Sequence, residues 1–192
     1  MRIKILIALM ACSFGALAIA GEPFTSVYGT LVDDEGNITL PENFRAEWTF
    51  LGTWSIAEKD VERSSEASRH GAAGLHNVYT QPGAVEYFRE HGSFADGTMI
   101  IKELLKATTA TMTTGTVSRA REREGWFVMV KDTRGRFASN PLWGDGWGWA
   151  LFNVDQPDTP VTQNYKTECI GCHLPARNDD WIYLSGYPLL DD

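Results

Sequence analysis

Near its C-terminus the chain carries Cys169-Ile170-Gly171-Cys172-His173, and this pentapeptide constrains the fold more than any other stretch. C-x-x-C-H is the attachment signature of a c-type haem. Two thiols add across the porphyrin vinyl groups, one helical turn sets both sulfurs along one edge, and the adjacent histidine reaches the iron. A redox dithiol follows a strand in a thioredoxin-like unit and does not need a histidine next. A zinc site needs further ligands at suitable spacing, and His70, His76 and His91 lie far upstream. The motif therefore predicts one covalently bound haem c, held by Cys169 and Cys172, with His173 as the metal ligand.

Cysteine usage agrees with that reading. The chain has three cysteines in 192 residues. Cys12 lies in the apolar run Ile5 to Ala20, which follows Arg2 and Lys4 and ends in the small-x-small sequence Ala18-Ile19-Ala20. This reads as a secretory signal peptide over residues 1–20, with a single domain over residues 21–192. The run is short for a membrane anchor, which takes roughly 20 apolar residues. Lipoprotein processing at Cys12 is the alternative, and it would leave apolar Phe14 to Ala20 at the mature N-terminus. Loss of the leader leaves only Cys169 and Cys172, too close together to staple an exported domain. A net charge of −8 speaks against nucleic acid or an anionic membrane as the main partner.

Upstream of the motif the chain reads mainly as strands. Glu47–Ile56, Leu75–Thr80, Thr98–Leu105, Trp126–Lys131 and Trp147–Val154 are short, apolar and aromatic, with turn residues bounding several of them. Pro82–His91 fits one helix, with Val85 and Phe88 on one face and Gly92 closing it. Glu58–Ala73 breaks the pattern and reads as a loop, and Ser118–Glu124 alternates charge like a solvated loop or strand end. Thr159 and Pro160 suit a helix start, predicting a helix from Val161 to His173 that Pro175 stops. The expected class is α+β: a mainly antiparallel sheet with a few helices, the C-terminal one carrying the haem motif. This pattern excludes a four-helix bundle.

One strand holds an oddity. Alternation puts Ile100, Lys102 and Leu104 on one face of Thr98–Leu105, and Met99, Ile101, Glu103 and Leu105 on the other. A lysine between apolar neighbours on a buried face snorkels at a sheet edge, pairs with a carboxylate, or lies beside a cofactor. In the last case desolvation lowers its pKa and makes the amine nucleophilic.

Phe94-Ala95-Asp96-Gly97-Thr98 followed by Ile101-Lys102-Glu103-Leu104 resembles the cytochrome P-460 family. So do Val130-Lys131-Asp132 with Arg136-Phe137, and Cys169 to His173 followed by Tyr187-Pro188, in the family's order across roughly Leu40 to Pro188. The resemblance implies a periplasmic homodimer, mostly β, with one haem c per subunit and a histidine as the only protein axial ligand. It implies that Lys102 is cross-linked to a porphyrin meso carbon, and that hydroxylamine is oxidised to nitrous oxide or nitrogen oxides. A related branch, the cytochromes c′-beta, shares the fold, lacks the cross-link, and binds nitric oxide and carbon monoxide under phenylalanines.

The resemblance also marks a departure. Members that oxidise hydroxylamine carry a distal glutamate on the strand ending in the Val-Lys-Asp match, and here that position is Phe127. A phenyl ring takes no proton from bound hydroxylamine, so an apolar distal side suits gas binding better. Glu122 and Glu124 lie nearby but enter only if the register slips. His76 aligns with a polar distal position, a hydrogen-bonded surface histidine being the plain alternative. Met99, Met112 and Met129 are each read as core, although Met129 shares a strand face with Phe127. Gly146, Gly148 and Ala150 form a small-residue face that marks either a flat neighbour or tight sheet packing. Three functions follow as expectations. The first is hydroxylamine oxidation at an open iron site, with electrons passed to a soluble electron-transfer partner. The second is non-enzymatic nitric oxide binding, and the third is simple electron carriage.

Overall fold

The computed structural model describes residues 23–57 and 71–191. The expected leader, with Cys12, lies outside them, as does most of the Glu58–Ala73 loop. Within the described residues a sheet of six antiparallel strands runs in the order β1-β2-β3-β4-β6-β5. The strands are β1 (Thr49–Ala57), β2 (Ala72–Thr80), β3 (Met99–Met112), β4 (Gly115–Lys131), β5 (Trp143–Gly144) and β6 (Trp147–Asn153). The helices are short: α1 (Phe44–Glu47), α2 (Ala84–His91), α3 (Tyr165–Glu168), α4 (Ile170–His173) and α5 (Pro188–Asp191). The class is α+β, as the alternating apolar pattern predicts.

Strand parity divides the interior in two. One face carries Val78, Ile100, Met129, Trp147 and Trp149, covered by Tyr165, Cys169, Trp181, Ile182, Tyr187 and Leu190 of the C-terminal segment. The other carries Met99, Ile101, Val128, Val130 and Phe152, covered by Val27, Val32, Ile38 and Phe44 of the N-terminal segment. The first half of β3, Met99 to Leu105, is buried or half-buried on both faces because each face meets its own core. Glu103 on the second face is also buried, and both Arg45 and Arg123 pair with it. Two guanidiniums on one carboxylate compensate the desolvation that burial imposes.

Three local expectations are resolved. Of the two readings of Ser118–Glu124, solvated loop or strand end, the structure takes strand: its backbone pairs with β3 through Thr109↔Ser118 and Thr108↔Arg119, so charge alternation here marks a ribbon wet on both sides. The helix from Val161 to His173 does not form. Val161 N–H instead bonds the Leu151 carbonyl at 2.7 Å, holding that stretch along β6. The helical turn begins at Asn164, whose side chain accepts from Lys166 N–H, and breaks at Cys169 (φ −120°, ψ −48°) before α4. α4 does end at His173, but the chain goes on as a 3₁₀ helix, Leu174–Asp179, with Pro175 in its first turn.

The segments quoted for the family resemblance meet in space. Arg136 reaches Asp96 and Asp132, with Nη1 at 3.0 and 2.8 Å from their oxygens. Burial would raise the Asp96 pKa, but the bonds from Arg136 and Thr133 outweigh it and hold the carboxyl at about 2. The small-residue face of β6 also finds its flat neighbour, the indole of Trp143. A Cβ on Gly148 would stand 2.7 Å from that ring. Gly148→Ala is therefore expected to lower stability by about 1–3 kcal/mol. A denaturation midpoint equal to wild type would show that Trp143 moves aside freely.

Candidate cofactor site

Between the sheet and the C-terminal segment lies a cavity of about 340 Å³. β2 contributes His76 and Val78, β3 Ile100 and Lys102, β4 Phe127 and Met129, and β6 Trp149. The facing wall holds Cys169, Cys172, His173, Ile182, Tyr183 and Tyr187. Of the residues singled out from sequence, His76, Lys102, Phe127, Cys169, Cys172 and His173 thus all line one cavity.

His173 closes α4, and its Nδ1 lies 2.8 Å from the Trp181 carbonyl oxygen. A carbonyl only accepts, so Nδ1 carries the proton and donates it, leaving the Nε2 lone pair available to a metal. Burial lowers the His173 pKa, the bond to Trp181 opposing, which favours the neutral ligand form. The ring packs T-shaped with Trp149, centroids 5.1 Å apart and planes at 75°. Cys169 is a buried free thiol and Cys172 an exposed one, one turn apart. Burial, helped by Glu168, pushes the Cys169 thiol up to about 11.

Lys102 lies on an inner strand, directly opposite Val78 on β2 and Phe127 on β4. Its Nζ stands 4.6 Å from the Phe127 ring centroid. Among the described residues no carboxylate pairs with it, so neither edge snorkelling nor ion pairing accounts for it here. Burial lowers its pKa, favouring the free amine. His76 pairs with Leu104 and, on the edge strand, with Trp54. Burial first, and then the Lys102 charge, lowers its pKa, so the imidazole is a neutral base near pH 7.

Other candidates fall elsewhere. A β-bulge does interrupt the β3–β4 register near Leu104 and Leu105, yet Glu122 and Glu124 stay exposed and outside the cavity lining. Met99 is buried on the opposite face, Met112 is exposed beside the hairpin tip, and only Met129 of the three lines the cavity. His91 stacks on Tyr87 at 4.0 Å on α2, and His70 lies outside the described residues. Sequence reasoning missed Tyr183, whose hydroxyl donates to the Cys172 carbonyl at 2.6 Å, and Trp54, which packs edge-on to Tyr183 and Tyr187. Gly186 makes that packing possible, since a Cβ there would fall 1.9 Å from the Trp54 indole.

Flat aromatic walls, two free thiols one turn apart and a neutral imidazole of fixed tautomer form a donor set that fits haem. Fold and site together define a haem protein built on one face of an antiparallel sheet. The family model for cytochrome P460 matches residues 41–184, and the chain belongs to the cytochrome P460 family. A comparison with curated proteins found no match.

Proposed function

We propose that this chain is an exported, periplasmic haem c protein that oxidises hydroxylamine to nitrous oxide or nitrogen oxides. The observation that carries the reading is the gathering of Cys169, Cys172, His173, Lys102, His76 and Phe127 around one cavity. Cys169 and Cys172 would hold the porphyrin by thioether bonds and His173 Nε2 would take the iron, while Lys102 Nζ would replace the hydrogen of a macrocycle carbon, one N–H and one C–H bond giving up two protons, with two electrons passing to the electron-transfer partner. When bound, the haem would supply redox chemistry at its iron and an outlet for electrons to a soluble electron-transfer partner. The chain supplies the rest. His76 accepts a proton from the substrate, because burial keeps it neutral and it is the uncommitted imidazole in the cavity. Phe127 and Val78 keep the sheet wall apolar and exclude water. Cleavage after Ala20 and assembly as a homodimer belong to the same reading.

His76→Gln is expected to lower hydroxylamine turnover about 100-fold, at unchanged haem content, since a positioned base contributes about 100- to 10,000-fold. The wild-type rate should hold from neutrality down past 6.5, the ordinary histidine value, before falling, because the shift of His76 is downward. A second reading, nitric oxide binding without turnover, is favoured by Phe127 standing where a carboxylate would serve as base. Tight nitric oxide binding with no hydroxylamine oxidation in the wild type would establish it over the first. Turnover that His76→Gln leaves unchanged would remove His76 from the mechanism.

A further inference from the structure

Asp180 and Trp181 stand consecutively in the left-handed region, at φ 56° and 67°. Neither is glycine, and a side chain with a Cβ is strained there, so surrounding contacts must hold the turn. The turn follows the 3₁₀ helix Leu174–Asp179, with Trp181 N–H bonded to the Ala176 carbonyl at 2.9 Å. It reverses the chain and aims the Trp181 carbonyl at His173 Nδ1, 2.8 Å away.

What holds the turn comes from the sheet. Lys131, the last residue of β4, places Nζ 2.5 Å from Asp180 Oδ1. The Trp147 indole, wholly buried on β6, donates to the Asp180 carbonyl at 3.0 Å. The Lys131 ammonium lies 4.9 Å over the same indole, and its side chain is 11% exposed. Asp180 Oδ2 is buried with no hydrogen-bond partner among the described residues, a cost set against the bonds its neighbouring atoms make.

We infer that Lys131 and Asp180, with Trp147, are positioning residues for His173. They clamp a strained turn whose second carbonyl, that of Trp181, fixes the histidine's tautomer and ring orientation. The inference rests on His173 being the iron ligand, and it extends that reading to residues that touch neither haem nor substrate. A carbonyl held rigidly on Nδ1–H makes Nε2 a stronger donor, and a loosened turn weakens it.

Resonance Raman spectra of the ferrous holoprotein read this bond directly. The iron–histidine stretching band is expected to move to lower frequency and broaden in Lys131→Met and in Asp180→Gly. The second variant keeps the turn foldable, because glycine adopts a φ of this kind freely while losing only the carboxylate. A band at wild-type position and width in Asp180→Gly overturns the inference, even if the melting temperature falls, since a clamp that only stabilises the domain would act that way. A wild-type band that persists in His173→Gly overturns the assignment of the iron ligand, and the inference with it.

Discussion

Serine at both Cys169 and Cys172 should abolish covalent haem retention altogether. In the wild type, intact-mass analysis of exported protein is expected to show one haem added to a chain beginning at Gly21, with no free thiol left to titrate. Cys169→Ser combined with Cys172→Ser should give the mass of the bare polypeptide, and the haem stain of a denaturing gel should vanish. The backbone geometry around the motif does not depend on the thiols. The Cys172 carbonyl is held by Tyr183, and Asn164 caps the turn before Cys169, so the backbone keeps its course after substitution. His173 then remains as a single point of attachment. Two thiols still titrating in haem-loaded wild type would overturn the assignment.

Lys102→Leu should keep the haem attached through the cysteines but convert the optical spectrum to that of an ordinary five-coordinate c-type haem. Lys102 has an apolar strand neighbour on each side, a phenyl ring 4.6 Å from its amine, and no carboxylate partner among the described residues. Such surroundings penalise the ammonium and lower the pKa of an amine that faces the cavity. Leucine fills the same wall without a polar group to desolvate, so the fold should not suffer. Tryptic mapping offers an independent measurement: the wild-type peptide containing Lys102 should travel with the haem peptide, and the corresponding peptide of the Lys102→Leu variant should run free. Superimposable wild-type and Lys102→Leu spectra would reduce Lys102 to a buried lysine with no bond to the cofactor.

Side-chain chemistry and strand parity are legible from residues; backbone events are not. The alternation that sets Lys102 on the opposite face from Glu103 survives in the structure, and Cys169, Cys172 and His173 lie together on one cavity wall, because each depends on local spacing. Glu103 itself gives no signal, since its partners Arg45 and Arg123 come from distant segments. The C-terminal helix is misplaced from sequence because Thr159 and Pro160 carry start signals that a turn uses equally well, while Asn164 and Glu168 provide the cap that forms. The Trp181 carbonyl has no sequence signature at all. A main-chain acceptor has no residue type, and nothing in an Asp-Trp pair announces two positive φ angles.

The division of the interior into two cores has a consequence for biosynthesis. Chains emerge N-terminus first. The segment covering one face, Val27 to Phe44, precedes every strand, whereas Tyr165 to Leu190, which covers the cavity face, is made after the last one. The sheet can therefore pair and bury its first face while the second is still bare. The long β3–β4 hairpin favours this order, because its contacts are local in sequence. When Cys169 and Cys172 arrive, Lys102, Phe127 and Trp149 would then already be in register on a preformed platform. On the proposed function, haem binding would be the step that closes the second core, and a chain that never meets its cofactor should stall late, with its sheet built and its C-terminal tail open to proteases.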